Sequence, residues 1–324
     1  MMGLGRKRAL PKIVRVRGGI PGDGFQRLDP DSPGARKRLK RAREMLLQCV
    51  VCPRMCAAAR LAGESGTCRS GGDLRVASWN LHHGEEPPIS GTGGSGTVFL
   101  SGCSLRCVYC QNYPISQMGV GDVVTVPDLV TIMLKLERSG AHNINFVTPT
   151  HYTPALIEAI LEARHQGLSI PIVWNTSGYE RVETLKLLEG LVDVYLADMR
   201  YGEAEPGKQY SKADDYPTVN RAAIQEMHRQ VGTLQIDDEG VATRGLLVRH
   251  LVLPGGLSGS EQVFRFLAEE ISPETHVSLM SQYFPAHQVG DHPLLGRRLT
   301  AEEYEQALAA LTAAGLTQGF RQGP

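Results

Sequence analysis

From residue 97 onward, short apolar runs alternate with stretches whose apolar residues recur every three or four positions. Residues 97–101 (TVFLS) predict a strand. Residues 128–138 predict a helix, with Leu129, Ile132, Met133 and Leu136 on one face and Gly140 just beyond its end. Residues 143–148 (NINFVT) predict a second strand. Thr153-Pro154, a cap followed by proline, then opens a helix that Gly167 stops. The alternation continues with strands at 170–176, 192–198, 246–253 and 277–283, and helices at 180–188, 219–231, 259–271 and 301–314. Asp237-Asp238-Glu239-Gly240 predicts a turn between two short extended pieces.

Six apolar strands alternating with helices predict an α/β fold with a parallel sheet. Right-handed crossovers curl such a sheet into a partial (β/α)6 barrel of the TIM type, with function at the C-terminal strand ends. Polar groups gather at those ends: a cysteine loop after strand one, residues 148–152 (TPTHY) after strand two and 175–179 (NTSGY) after strand three. Residues 198–201 (DMRY) follow strand four, Arg249 and His250 lie in strand five, and Gln282 and Tyr283 end strand six. All are expected at one mouth.

Cysteine spacing changes this from a fold to a chemistry. The seven cysteines fall at 49, 52, 56, 68, 103, 107 and 110, with none in the last 214 residues. Such clustering does not suit stabilising disulfides, and a cytosolic protein would keep these thiols reduced. The set divides into a quartet, Cys49-x2-Cys52-x3-Cys56-x11-Cys68, and a trio, Cys103-x3-Cys107-x2-Cys110. Four thiolates close a zinc site or an iron–sulfur cluster, whereas three leave one iron of a cubane open to an outside ligand. A zinc site borrowing a distant ligand is the bland alternative for the trio. Reduced structural cysteines are the alternative for the quartet.

Composition sets the limits. Hydrophobic residues make up 42% of the 324, enough for a substantial core, and no run approaches the length of a membrane span. No apolar segment of signal-peptide type follows the basic start, so a cytoplasmic protein is expected. The formal net charge is zero, yet residues 1–43 hold thirteen Lys/Arg against three Asp/Glu. The expected organisation is a basic, disordered arm (1–43), a Cys-rich metal-binding unit (44–75), and the barrel with its C-terminal helix (76–324), in which residues 76–96 are read as a connector from the Cys-rich unit. The arm would suit nucleic acid or an acidic partner, but a disordered leader is the simpler reading, and nucleic acid is not expected as a partner.

The trio, followed by Gln111-Asn112 and placed after strand one, resembles the signature of the radical S-adenosylmethionine (SAM) superfamily. Residues 75–290 resemble its members related to pyruvate formate-lyase activating enzyme, and most of all the subgroup named for its similarity to that activase. The stretches GEEPPISG, GAHNINFVTPTHY, RHLVLPG and SLMSQYFP carry that likeness. Glycines 91, 93, 94 and 96 stand where that family has a glycine-rich turn.

The resemblance implies that Cys103, Cys107 and Cys110 bind a 4Fe-4S cluster whose fourth iron is chelated by SAM. It implies reductive cleavage of SAM to a 5′-deoxyadenosyl radical that abstracts hydrogen, with an electron donor such as flavodoxin or ferredoxin. Tyr109 would pack near the adenine, Asp198 and Arg200 would meet the methionyl and ribose parts, and Arg249 would pair with the carboxylate. Gln111, Thr148, Thr150, Asn175 and Ser177 complete the expected cofactor shell. One departure is clear: the family's Gly-Gly-Glu-Pro is here Thr148-Pro149-Thr150-His151, so its ammonium-binding Glu has no counterpart. A protein glycine is one candidate substrate, and a small molecule or peptide is the other. A non-catalytic, metal-dependent binding protein is the reading from a different class. His82-His83 suit a metal poorly, because neighbours in a strand face opposite ways, while His151 is expected at the mouth as either a cofactor contact or a packed residue.

Overall fold

The computed structural model describes residues 26–323. Its strands are β1 (Leu74–His82), β2 (Ser95–Leu100), β3 (Asp122–Val124), β4 (Ile144–Val147) and β5 (Ile172–Thr176). They continue with β6 (Val194–Asp198), β7 (Gln235–Ile236), β8 (Ala242–Leu251), β9 (His276–Met280) and β10 (Gly319–Arg321). The sheet runs β10-β9-β8-β6-β5-β4-β2-β1-β3, with β7 beside β8. β2, β4, β5, β6, β8 and β9 are the six expected strands, and successive members pair in parallel. Among the described residues β3 and β10 end the sheet without meeting, so the barrel is partial.

The strands are near-continuous apolar runs because both faces are buried. Ile172 and Trp174 of β5 join the core beneath the outer helices, while Val173 points inward to Val194, Leu196 and Leu247. The short helix Pro87–Ser90 enters this interior and seats the fully buried Ile89 there. Asn143 Nδ2 donates to the Ile89 carbonyl at 2.7 Å. The GEEPPISG stretch is therefore a plug in the barrel, and burying Ile89 contributes about 1.5–3 kcal/mol.

Three features depart from expectation. β1 is an antiparallel neighbour of β2 where a connector was expected. The helix Ala204–Ser211 stands between β6 and the helix Tyr216–Val231, which was expected only from residue 219. The third correction concerns the arm. Residues 33–44 form a helix capped by Ser32, whose side chain accepts from the Ala35 amide. Ala35 and Ala42 are wholly buried, and Arg43 pairs with Glu158 at 2.7 Å. Small alanines let this charged helix lie against Thr153–His165, so this part of the basic segment is ordered. Residues 1–25 of the expected disordered arm lie outside the described residues. The turn at 237–240 joins β7 to β8 as expected. No helix among the described residues is long and apolar enough to cross a membrane.

Candidate active site

The cysteine loop leaves β2 at Gly102, whose φ of 87° favours glycine. A Cβ there would lie 2.8 Å from the Cys68 carbonyl oxygen and 3.0 Å from His151 Nε2. Each thiol then meets a hydrogen-bonding partner. The Leu105 amide donates to Cys103 Sγ at 3.4 Å, Ser211 Oγ lies 2.9 Å from Cys107 Sγ, and Ser116 Oγ lies 3.1 Å from Cys110 Sγ. Arg200 Nη1 reaches Cys107 Sγ at 3.6 Å. Burial pushes the Cys103 thiol up to about 12, with Cys107 adding to it. Burial likewise raises Cys107, against the pull of Arg200. Such thiols ionise when a metal replaces their protons. The Leu105 amide and the Arg200 guanidinium donate to sulfur, and two serine hydroxyls stand where they can donate to a thiolate, so the trio fits a cluster.

Beside the loop, at the C-terminal strand ends, lies a cavity of about 180 Å³. Tyr109, Cys110 and Gln111 line it from the loop, and Asp198, Arg200 and Arg249 from the strands opposite. Asp198 is the hub: Oδ1 accepts from Arg249 Nε at 2.9 Å and Oδ2 from Arg200 Nη2 at 2.6 Å. Burial alone would raise this carboxyl, but the Arg249 and Arg200 guanidiniums outweigh it and hold Asp198 below the ordinary carboxylate value.

The two arginines differ. Arg249 donates to Asp198, to Asn175 Oδ1 at 2.6 Å and to Glu85 Oε2 at 3.4 Å. Arg200 keeps its Nε buried without a partner among the described residues. A buried, unsatisfied charged donor at a cavity wall fits an incoming carboxylate. Arg249 faces the barrel axis, and His250 faces away, bonded to the Met199 carbonyl at 2.7 Å and to Ser260 Oγ at 2.9 Å.

Glu85 was not among the residues expected in the cofactor shell. It stands on the plug, and its Oε1 accepts from Asn145 Nδ2 at 3.1 Å and Asn175 Nδ2 at 3.3 Å. Burial raises its carboxyl, partly opposed by Arg249. No local pattern announces that residue 85 would meet residue 249.

The expected shell divides. Tyr109, Gln111, Asp198, Arg200 and Arg249 share the cavity, and Asn175 stands one hydrogen bond behind, on Arg249. The Tyr109 hydroxyl meets Tyr201 at 2.6 Å, Tyr201 meets Ser211 at 2.7 Å, and Ser211 holds Cys107. Thr150 is a correction. Its hydroxyl donates to the buried Glu180 at 2.8 Å, alongside Thr176 Oγ1 and Trp174 Nε1, on the outer side of the sheet. The tight turn at Thr150–Tyr152 rotates it from the mouth. Ser177 offers its carbonyl to Tyr216, and neither Ser177 nor Thr148 lines the cavity. Thr148 has φ 60°, so the turn is glycine-like without a glycine. His151 is packed: Nε2 meets the Ser101 carbonyl at 2.8 Å and Arg60 donates to its own carbonyl at 2.6 Å.

The quartet lies against this loop. Cys49, Cys52 and Cys68 are buried, Cys56 is half-buried, and all seven cysteines are free thiols. Arg54 Nε donates to the Ser104 carbonyl at 2.8 Å and its Nη2 to the Ser211 carbonyl at 3.2 Å. From the other side Arg106 donates to the Thr67 carbonyl. A separate groove of about 580 Å³, between the helices Pro33–Glu44, Val126–Arg138 and Thr153–His165, is distant from these residues.

Residues 97–205 match the family model described as the radical SAM superfamily. The uncharacterised protein MJ0674 of Methanocaldococcus jannaschii is 33% identical over 274 residues, spanning 82% of this chain and 75% of that protein. MJ0808 of the same organism, also uncharacterised, is 22% identical over 267 residues, covering 76% and 73%. Among solved structures, HydG, a maturase of the [FeFe]-hydrogenase, aligns with TM-score 0.49 and 15% identity. That alignment covers 69% of this chain and half of the maturase chain.

Proposed function

Because the chain belongs to the radical SAM superfamily, we propose that its cavity binds SAM against a 4Fe-4S cluster held by Cys103, Cys107 and Cys110. One observation carries the reading: three thiols, each with a hydrogen-bonding partner at sulfur, stand beside a cavity that Cys110 lines together with Arg200, whose buried Nε has no partner among the described residues. The bound pair supplies a 5′-deoxyadenosyl radical for hydrogen abstraction.

The protein's own groups do the rest. Arg200 receives the SAM carboxylate and is held in place by Asp198. Arg249, bonded through all three of its nitrogens to Asp198, Asn175 and Glu85, positions Asp198 from behind. This exchanges the roles that the resemblance implied for the two arginines. Tyr109 closes the adenine side, and the cluster of Tyr109, Tyr201, Tyr216 and Tyr283 around the loop keeps water away.

The reading extends to a flavodoxin- or ferredoxin-type electron donor, and to Cys49, Cys52, Cys56 and Cys68 as a second metal site. The substrate supported by the likeness of residues 198–201 and 249 to the activase is a backbone glycine of a protein partner. Anaerobic reconstitution, reductant and SAM test the chemistry through release of 5′-deoxyadenosine. A glycyl-radical signal on a co-incubated partner tests the substrate. Turnover with a small molecule and no such signal would replace it.

A further inference from the structure

The quartet is built on strained backbone. Six non-glycine residues among those described have positive φ, and three flank these cysteines: Met55 (37°), Ala57 (55°) and Arg69 (62°). Such conformations persist where the surroundings over-determine them. Apolar packing there amounts to a small cluster around Met45, Leu46 and Val51, so a metal staple has a role to fill.

The local geometry suits thiolates. The amides of Val51, Arg54 and Ala58, each two residues on, bond Cys49, Cys52 and Cys56, as the Leu105 amide bonds Cys103. The Thr67 amide adds a second bond to Cys56. Arg60, buried, brings Nη1 to 3.9 Å from Cys49 Sγ. Gly66 passes so close that a Cβ there would lie 2.9 Å from Cys56 Sγ and 3.7 Å from Cys68 Sγ. Cys56 and Cys68 therefore face one another across Gly66, with Cys49 and Cys52 buried in the same small unit. Among the described residues, however, no three His, Cys, Asp or Glu side chains converge tightly enough for one ion, in the quartet or in the trio. A cubane spreads its ligands over a wider body than a single zinc ion does.

The quartet and trio are also joined. Arg54 lies between Cys52 and Cys56 and grips the carbonyls of Ser104 and Ser211, while Ser211 Oγ holds Cys107. Arg106 lies between Cys103 and Cys107 and grips Thr67, next to Cys68. Its guanidinium lies within electrostatic range of both Cys103 and Cys68. Each cysteine group thus sends an arginine into the other's loop, and Gly102 and Cys68 approach through their backbones.

We infer that Cys49, Cys52, Cys56 and Cys68 hold a second, coordinatively closed 4Fe-4S cluster that delivers single electrons to the open one. The site stands on the quartet's own geometry, and its relay role rests on the proposed radical chemistry. The step is outer-sphere: one electron enters from a low-potential one-electron donor and leaves to the neighbouring cluster, with no bond made or broken.

The full chain and a variant carrying Cys103→Ala, Cys107→Ala and Cys110→Ala, both reconstituted anaerobically, test the inference by metal and sulfide analysis. The expected result is about eight iron and eight sulfide per wild-type chain, about four of each in the variant, and no zinc. One zinc with about four iron in the wild type would overturn it without recourse to the variant, as would about four iron and no other metal. In the reduced variant the electron paramagnetic resonance signal should not respond to SAM, since every iron already has a cysteine. A SAM-induced change would refute the closed site. With both clusters reduced, wild type should show spin–spin broadening that the variant lacks, and two uncoupled signals would overturn the relay. A wild-type signal indifferent to SAM would instead sink the reading of the trio and leave the quartet's metal count standing.

Discussion

The two cysteine groups touch, yet they are built for opposite ends. The trio leaves β2 at the mouth of the barrel, where Cys110 lines a cavity with Asp198, Arg200 and Arg249 and Cys107 Sγ lies 3.6 Å from Arg200 Nη1. The quartet is enclosed within its own unit, with Cys49, Cys52 and Cys68 buried, and that unit is clasped to the barrel by Arg54 and Arg60 among other contacts. An open metal position requires a place for the outside ligand, and the trio has one. A closed position requires only enclosure, and the quartet has that. The number of cysteines in each group and what stands beside them agree.

The largest effect should come from the open group. Replacing Cys103, Cys107 and Cys110 with alanine should abolish SAM cleavage, a fall of at least about a thousand-fold, read by chromatography of 5′-deoxyadenosine. Retention of even a tenth of the activity would mean that the radical chemistry is not at the trio.

Next in size is the contrast between the arginines. Arg249→Ala strands the buried carboxylates of Asp198 and Glu85 and should cost about 3–5 kcal/mol of stability, seen in denaturant melts. Arg200→Ala should leave the melt closer to wild type and weaken SAM binding by about 2–4 kcal/mol, roughly thirty- to a thousand-fold. Titration of the reconstituted proteins with SAM measures this. If Arg249→Ala proves stable and loses SAM while Arg200→Ala binds normally, the assignment of roles reverses.

Smaller still is the clasp between the groups. Arg54→Ala removes charged donors from the Ser104 and Ser211 carbonyls and should cost about 1.5–3 kcal/mol. Hydrogen exchange should accelerate in residues 44–75 before it does in the barrel strands. Uniform acceleration would show that the two units open as one.

Much of the fold was legible because the strand signals were local. β5 and β6 are runs whose every residue is buried, so no alternation had to be resolved. β1 was missed for the opposite reason. Its sequence LRVASWNLH mixes buried and exposed positions along an antiparallel strand near the sheet's edge, and reads as a connector. The helix at residues 33–44 docks through Ala35 and Ala42, which carry almost no apolar signal beneath seven basic and acidic neighbours. At the site, cysteine spacing singled out the three thiols, and the family resemblance singled out Asp198 and the arginines. Neither could show that Thr150 turns back to Glu180, or that Glu85 rises from a plug to meet Arg249. Those contacts join residues far apart in the chain, and only the folded backbone brings them together.

The smallest effect sharpens the mouth. Thr148 holds a left-handed turn that glycine adopts freely, so Thr148→Gly should change stability by no more than about 1 kcal/mol. Thr148→Val keeps the branched Cβ and should show no gain in a thermal melt. A loss of several degrees in the glycine variant would mean that the threonine side chain has a structural contact at the mouth.

The most direct test of the central claim is one reaction: the full chain, reconstituted anaerobically with iron and sulfide, given a strong one-electron reductant and SAM. The account predicts 5′-deoxyadenosine and methionine in equal amounts, dependent on reductant and lost in the trio variant. Cluster-loaded protein that leaves SAM intact, or cleaves it equally without Cys103, Cys107 and Cys110, would contradict it.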